Sequence, residues 1–172
     1  MDSTTPINWI QVHQGRLAIG HRPKLKLIPE LSSLGVTHVL TLLSAKEGAE
    51  RIGQICVQER LEWIWLPLEN GQPPSVDRDE DIVRTFRVMS DAIQESKSLF
   101  VHCSAGIHRT GMMTHALLGF LGFTNSESRQ LLERLRGHTA HGVGDERLAW
   151  GDDFISRVLS DQTSNSDAKP KT

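Results

Sequence analysis

Apolar positions along the chain fall into two alternating patterns. Short runs rich in β-branched and aromatic residues occur at Trp9 to Val12, Arg16 to Ile19, Val36 to Leu43, Leu61 to Leu68 and Leu99 to His102, each with the length and bounding turn residues of a strand. Between and after them lie longer stretches whose apolar residues recur three or four apart, the helical spacing. His13, Gln14 and Gly15 between the first two runs suit a hairpin. Leu25, Leu27, Ile28, Leu31 and Leu34 share a stripe that Gly35 closes, and Ile52, Ile55, Cys56 and Glu59 form a second stripe. Pro67 marks a strand end, the Gly- and Pro-bearing segment 69–76 is a loop, and Asp77 to Ile93 reads as a long helix. Helical spacing returns over Met112 to Phe120. A further helix is signalled at Thr124, which makes a capping box with Glu127 ahead of Leu131, Leu132 and Leu135. The last helix starts near Asp145 and carries Leu148, Trp150, Phe154, Ile155 and Leu159. Helical crossovers join parallel strands, so the pattern predicts the α/β class. The expectation is a single domain over 7–160, with a central mixed, mostly parallel sheet of about four or five strands and helices on both faces. The segment 161–172 is polar, without an aromatic, and is expected to be disordered.

Composition narrows the partners. Lys and Arg number 19 against 21 Asp and Glu, a formal charge of −2. No global basic field therefore draws DNA or an anionic membrane, and any grip on an anion is local. The two cysteines, Cys56 and Cys103, are too few for a disulfide framework, and MDSTTPINW lacks the charged and apolar blocks of a secretory signal, which points to a reducing, cytoplasmic setting. Apolar runs are broken by Glu, Arg or Gly before they reach the roughly 18 residues of a membrane span, so a soluble protein is expected. Cys56 lies on an apolar helical stripe and reads as core; a redox pairing with Cys103 is the minor alternative. Trp9, Trp63, Trp65 and Trp150 also read as core. His138 and His141 lack a third ligand at zinc-site intervals, so no metal site is expected. The stretch that contains them reads as a loop approaching a pocket. Arg134, Arg136, His138 and Arg147 read as a basic rim to that pocket or as a solvated helix face.

The chemistry concentrates where the strand Leu99 to His102 runs without a gap into Cys103-Ser-Ala-Gly-Ile-His-Arg-Thr-Gly and then into a helix. A Cys six residues before an Arg is weak evidence by itself. A loop from a buried strand to a helix N-terminus is stronger, because it turns backbone N–H groups inward and adds the positive helix end, which together make a phosphate cradle. Ser104, Ala105, Gly106, Ile107, His108 and Arg109 would line that cradle. Cys103 at its first position would be held as a thiolate and act as nucleophile. Arg109 supplies a planar fork for two phosphoryl oxygens. Thr110 is placed to donate a hydrogen bond to the sulfur. Gly106 allows the turn, and His102 is expected to order the loop by hydrogen bonding rather than to act as a base.

VHCSAGIHRTG resembles the signature loop of the cysteine-dependent protein tyrosine phosphatase superfamily: His-Cys, five residues, Arg, then Ser or Thr. GRLAIGHRP, GVTHVLTLL, WLPLENGQPP and the helix after it extend the likeness, in order and spacing, to the compact dual-specificity group from about Arg16 to Leu159. The resemblance implies a phosphocysteine intermediate on Cys103, later hydrolysed by water, and no metal or organic cofactor. It also implies a general acid, an Asp in an earlier loop, and here the chain departs. In LPLENGQPPSVDRDED the matching position is Asn70, which cannot act as an acid. Glu69 is the first substitute and Asp77 the second, although Asp77 and Glu80 also read as a cap for the following helix; the third alternative is no carboxylic acid at all. His108 stands where the family's protein phosphatases commonly have Gly, and RNA 5′-triphosphatases with this loop carry a polar residue there. The expectation is two-step hydrolysis of phosphate monoesters, phosphotyrosine and phosphoserine or phosphothreonine in a phosphorylated protein. The rivals are an RNA 5′-triphosphate end, a phosphoinositide, or a phosphate-binding module without turnover.

Overall fold

The computed structural model describes residues 7–166. Its strands are β1 (Ile10–Val12), β2 (Gly15–Gly20), β3 (His38–Thr41), β4 (Glu62–Trp65) and β5 (Ser98–His102). They form one sheet in the order β1-β2-β5-β3-β4. The β1–β2 hairpin is antiparallel and every other pairing is parallel. The helices are α1 (Ile28–Ser33), α2 (Ala49–Gln58), α3 (Asp79–Gln94), α4 (His108–Phe120), α5 (Asn125–Leu135), α6 (Gly137–Gly142) and α7 (Asp145–Ser166). The α/β class and the mixed, mostly parallel sheet are as the pattern predicts.

Strand alternation sorts the core into two. Leu17, Ile19, Leu40, Leu99 and Val101 face one side, where Phe86, Met89, Met112, Leu117 and Phe154 bring α3, α4 and α7 onto the sheet. Ala18, Val39 and Phe100 face the other, under Ile28 and Leu31 of α1 and Ile52 and Cys56 of α2, with Trp63 and Trp65 against them. Helix α4 is buried from Arg109 through Leu118, so it is the central helix of the larger core. It reads as weakly periodic for that reason: apolar, small and a few polar side chains all face protein.

Several boundaries move. Leu25–Leu27 is a 3-10 turn, and α1 starts beyond it where Pro29 occupies the first turn. Gly35, at φ +89°, closes α1 as expected. The Thr124–Glu127 capping box forms, with Glu127 accepting from the Thr124 backbone N–H at 2.8 Å. The Asp77–Glu80 cap does not. Residues Val76–Arg78 make a 3-10 turn that continues directly into α3, and Arg78 already has helical φ and ψ (−89°, −7°), so no extended cap position exists for Asp77. Its carboxylate accepts from the Ser75 hydroxyl instead. The presumed loop around His138 and His141 contains α6. Helix α7 runs to Ser166, past the start of the segment expected to be disordered, because adding a residue to a formed helix gains a hydrogen bond without a new nucleus. The expectation for 167–172 lies outside the described residues.

Register places the site. Gly20 and Thr41 both pair with His102, and Thr41 pairs with Trp65. The carboxyl ends of β2, β5, β3 and β4 are thus level, and the four segments that leave them converge on one edge, the usual position of ligand sites in parallel sheets.

Candidate active site

The loop from Cys103 to Ile107 is held from its outside. The Arg22 backbone N–H donates to Ser104 O at 2.8 Å, Arg136 Nη1 donates to Ala105 O at 3.3 Å and Gly106 O at 2.9 Å, and the Thr139 hydroxyl donates to Gly106 O at 2.5 Å. A peptide's N–H points opposite its C=O, so tying the carbonyls of 104, 105 and 106 outward turns the N–H groups of 105, 106 and 107 inward. One result is direct: the Gly106 N–H donates to Cys103 Sγ at 3.2 Å. Gly106 has φ +71°, and a Cβ there would stand 2.4 Å from the Gly20 carbonyl, so both backbone conformation and close approach to the β2 end require glycine. Helix α4 begins at His108, immediately beyond the loop, and adds its N-terminus to the cradle.

His102 orders this loop through a relay whose protons are determined. A carbonyl only accepts, so His102 Nδ1 carries the proton it donates to Cys103 O at 3.1 Å. Nε2 then accepts from the Thr41 hydroxyl at 2.8 Å, and Trp63 Nε1 donates to Thr41 Oγ1 at 2.9 Å. Burial, aided by the charges of Arg22 and Arg109, lowers the His102 pKa to about 4. The ring is neutral at pH 7, as the relay requires.

Arg109 is buried and held by a residue that the sequence reading missed. Its Nη1 donates to Glu47 Oε2 at 2.7 Å and Nη2 to Oε1 at 2.8 Å, with a further bond from Nη1 to Leu68 O at 2.9 Å. Of the five guanidinium protons, the Nε–H and the second Nη2–H remain. They share one edge, the fork suited to two phosphoryl oxygens. The hydrogen bond to Arg109 lowers the Glu47 pKa to about 2 against opposing burial, and bonds from Ser44 assist. The pairing with Glu47, and after it the neighbouring Cys103, raises the Arg109 pKa further. Glu47 ends a 3-10 turn (Ala45–Glu47) just after β3, and Ser44 donates to it through its N–H at 2.9 Å. The Ser-x-x-Glu signature of that turn was legible in the sequence; its function in holding Arg109 was not, since 62 residues separate the pair.

One expectation is corrected. Thr110 makes no hydrogen bond to the sulfur: it lies in the first turn of α4, and its hydroxyl is buried without a hydrogen-bond partner among the described residues. Cys56 is core, as expected, and it lies on the opposite side of the sheet from Cys103, both being free thiols, which removes the alternative of a redox pair. Burial pushes the Cys56 thiol up to about 11. Of the four residues read as a basic rim or a solvated helix face, Arg136 donates to the cradle carbonyls and Arg147 to the carbonyls of Gly71 and Val143.

The loop between β4 and α3 closes over the cradle. Arg147 Nε donates to Gly71 O, Trp150 Nε1 to Pro74 O at 3.2 Å and Arg78 Nη2 to Pro67 O at 3.0 Å. Glu69 is exposed, and with Asn70 and Asp77 it lines a cavity of about 390 Å³ that no residue of 103–109 borders. Asn70 Oδ1 accepts from the Gln72 N–H at 2.9 Å. Among the described residues no group of three His, Cys, Asp or Glu side chains is placed to hold a metal ion, and no helix is long and apolar enough to cross a membrane.

Comparison with known proteins agrees with this geometry. The family model described as Swiss Army Knife protein, DSP-PTPase phosphatase domain, matches residues 5–169. No curated protein matches the chain. Among solved structures, kinase-associated phosphatase with its catalytic cysteine replaced by serine superposes with a TM-score of 0.76 at 16% identity, covering 91% of this chain and 98% of that one. PTPMT1 in complex with PI(5)P gives a TM-score of 0.67 at 15% identity, covering 90% and 99%. TpbA of P. aeruginosa gives 0.55 at 19%, covering 90% and 87%. These likenesses are of fold.

Proposed function

Because the chain belongs to the DSP-PTPase family of cysteine-dependent phosphatases, we propose that it hydrolyses phosphotyrosine and phosphoserine or phosphothreonine in proteins, with Cys103 as nucleophile and Arg109 as phosphate clamp. The observation that carries the reading is the cradle itself: inward amides, a sulfur that already accepts the Gly106 N–H, and an Arg109 fork with one edge open. Cys103 Sγ attacks phosphorus, the ester oxygen leaves, and water then cleaves the S–P bond to release phosphate. The cradle amides and Arg109 hold the equatorial oxygens while charge redistributes, the largest contribution available to such a site. Ser104, Ala105 and His108 around the cradle are exposed, which favours a phosphate presented on a protein surface.

The test is one activity panel across aryl phosphate, phosphotyrosyl and phosphoseryl peptides, phosphoinositide vesicles and triphosphate-ended RNA. The expected result is preference for the peptides, complete loss in Cys103→Ser, and a fall of about 10²–10³ in kcat for Arg109→Lys. Strong action on vesicles or RNA with weak action on peptides reassigns the substrate. Hydrolysis that survives Cys103→Ser removes the mechanism.

A further inference from the structure

The loop next to the cradle holds Asn70 at the position where the resemblance implies an acid. Asn70 does not titrate, and its side-chain oxygen is bonded to the loop's own Gln72 N–H. Glu69 and Asp77 line the same cavity of the loop, and the Asp77 carboxylate accepts from the Ser75 hydroxyl. The titratable side chain that does lie between loop and cradle is His108. It is the first residue of α4, adjacent to Arg109, and it is exposed. A Cβ added to Gly71 would stand 3.0 Å from His108 Cβ and 3.6 Å from Cγ and Nδ1. The imidazole edge therefore lies directly against Gly71, which has no side chain to displace it, while Arg147 holds Gly71 in place through its carbonyl. With Nδ1 on the side of Gly71, Nε2 at the other end of the ring is the nitrogen the proposal assigns to the substrate.

We propose that His108 is the proton donor to the leaving group, replacing the missing loop carboxylic acid. The proposal rests on the phosphatase reading of the same site. In the first step the Cys103 S–P bond forms, the P–O ester bond breaks, and the imidazolium proton passes from Nε2 to the departing oxygen. Neutral His108 then accepts a proton from the water that attacks phosphorus, as the S–P bond breaks and the thiolate returns. The histidine ends as imidazolium, and the overall reaction consumes one water per ester. Because the donor is a residue of the cradle, proton transfer does not wait on loop closure; the loop contributes by packing Gly71 against the ring.

The experiment compares 4-nitrophenyl phosphate, whose leaving group needs no proton, with benzyl phosphate, whose leaving group does, across a pH series. In the unaltered chain kcat/KM on benzyl phosphate has an alkaline limb that kcat/KM on nitrophenyl phosphate lacks. His108→Asn lowers kcat/KM on benzyl phosphate, which reports the step in which the ester oxygen leaves, by about a hundredfold or more and abolishes the alkaline limb. On nitrophenyl phosphate kcat/KM falls at least about tenfold less than on benzyl phosphate, and an unchanged urea midpoint shows that the altered chain folds. His108→Gln gives the same split. Equal losses on the two substrates, an alkaline limb that survives in His108→Asn, or one that disappears in Glu69→Gln or Asp77→Asn overturns the proposal. If the unaltered chain hydrolyses neither substrate, the phosphatase reading fails instead.

Discussion

Glu47 decides which edge of Arg109 faces a substrate. A guanidinium on a flexible stem has two forks, and a bidentate carboxylate at 2.7 and 2.8 Å on one of them leaves the other aimed in one direction. Glu47→Gln keeps the shape but removes the charge. We expect kcat/KM on aryl phosphate to fall by about a hundredfold, the cost of a small misplacement of a positioning group, with much less effect on thermal stability. The pH dependence has a definite sign. Glu47 in the folded chain titrates at about 2 against an ordinary 4.5, so its stabilising contribution is complete above pH 4.5 and is lost as pH falls toward 2. A denaturant series between those values shows a shallower pH slope in Glu47→Gln than in the unaltered chain. Cys103, Arg109 and Gly106 were legible as site residues because their signature lies within seven consecutive positions. Glu47, Thr41 and Trp63 were not, because each meets the site through a sheet pairing or a loop contact distant in sequence.

At the level of elements, the loop between β4 and α3 is held by α7, whose Arg147 and Trp150 reach its backbone carbonyls. Arg147→Ala frees the Gly71 carbonyl. Amide exchange should then accelerate over residues 70–75 and kcat/KM should fall about tenfold through loss of loop packing on His108, with the α3 amides unchanged. The periodic pattern located the strands and long helices but misplaced their ends where packing, not periodicity, determines them. Helix α4 starts four residues before its apolar stripe because the cradle turns directly into a helix at His108. The cap read at Asp77 failed because a 3-10 turn leads into α3 without an extended residue. Thr124 behaved as read because both partners of its capping box are within one turn, so no tertiary contact competes.

For the whole molecule, the level ends of four strands concentrate buried polar groups at one edge of the sheet, and acid stability depends on them. His102 is folded as the neutral ring, with a pKa of about 4 against an ordinary 6.5. The unfolded chain binds the proton more readily, so stability decreases as pH falls from 6.5 to about 4. The urea midpoint should decline through that interval, and His102→Asn should remove part of the decline, the rest coming from His38 and His115, which burial also holds below the ordinary value. Sequence alone determined the α/β class, the order of elements and the cradle with Cys103 at its first position, because these follow from spacing within a few residues and from backbone geometry. Only the tertiary structure decided that the two cysteines are separated by the sheet, that the Thr110 hydroxyl is buried without a partner, that Glu47 orients Arg109, and that His108 lies against Gly71. Each of these is a contact between segments far apart in the chain, and such contacts are set by strand order, register and packing, which local patterns do not encode.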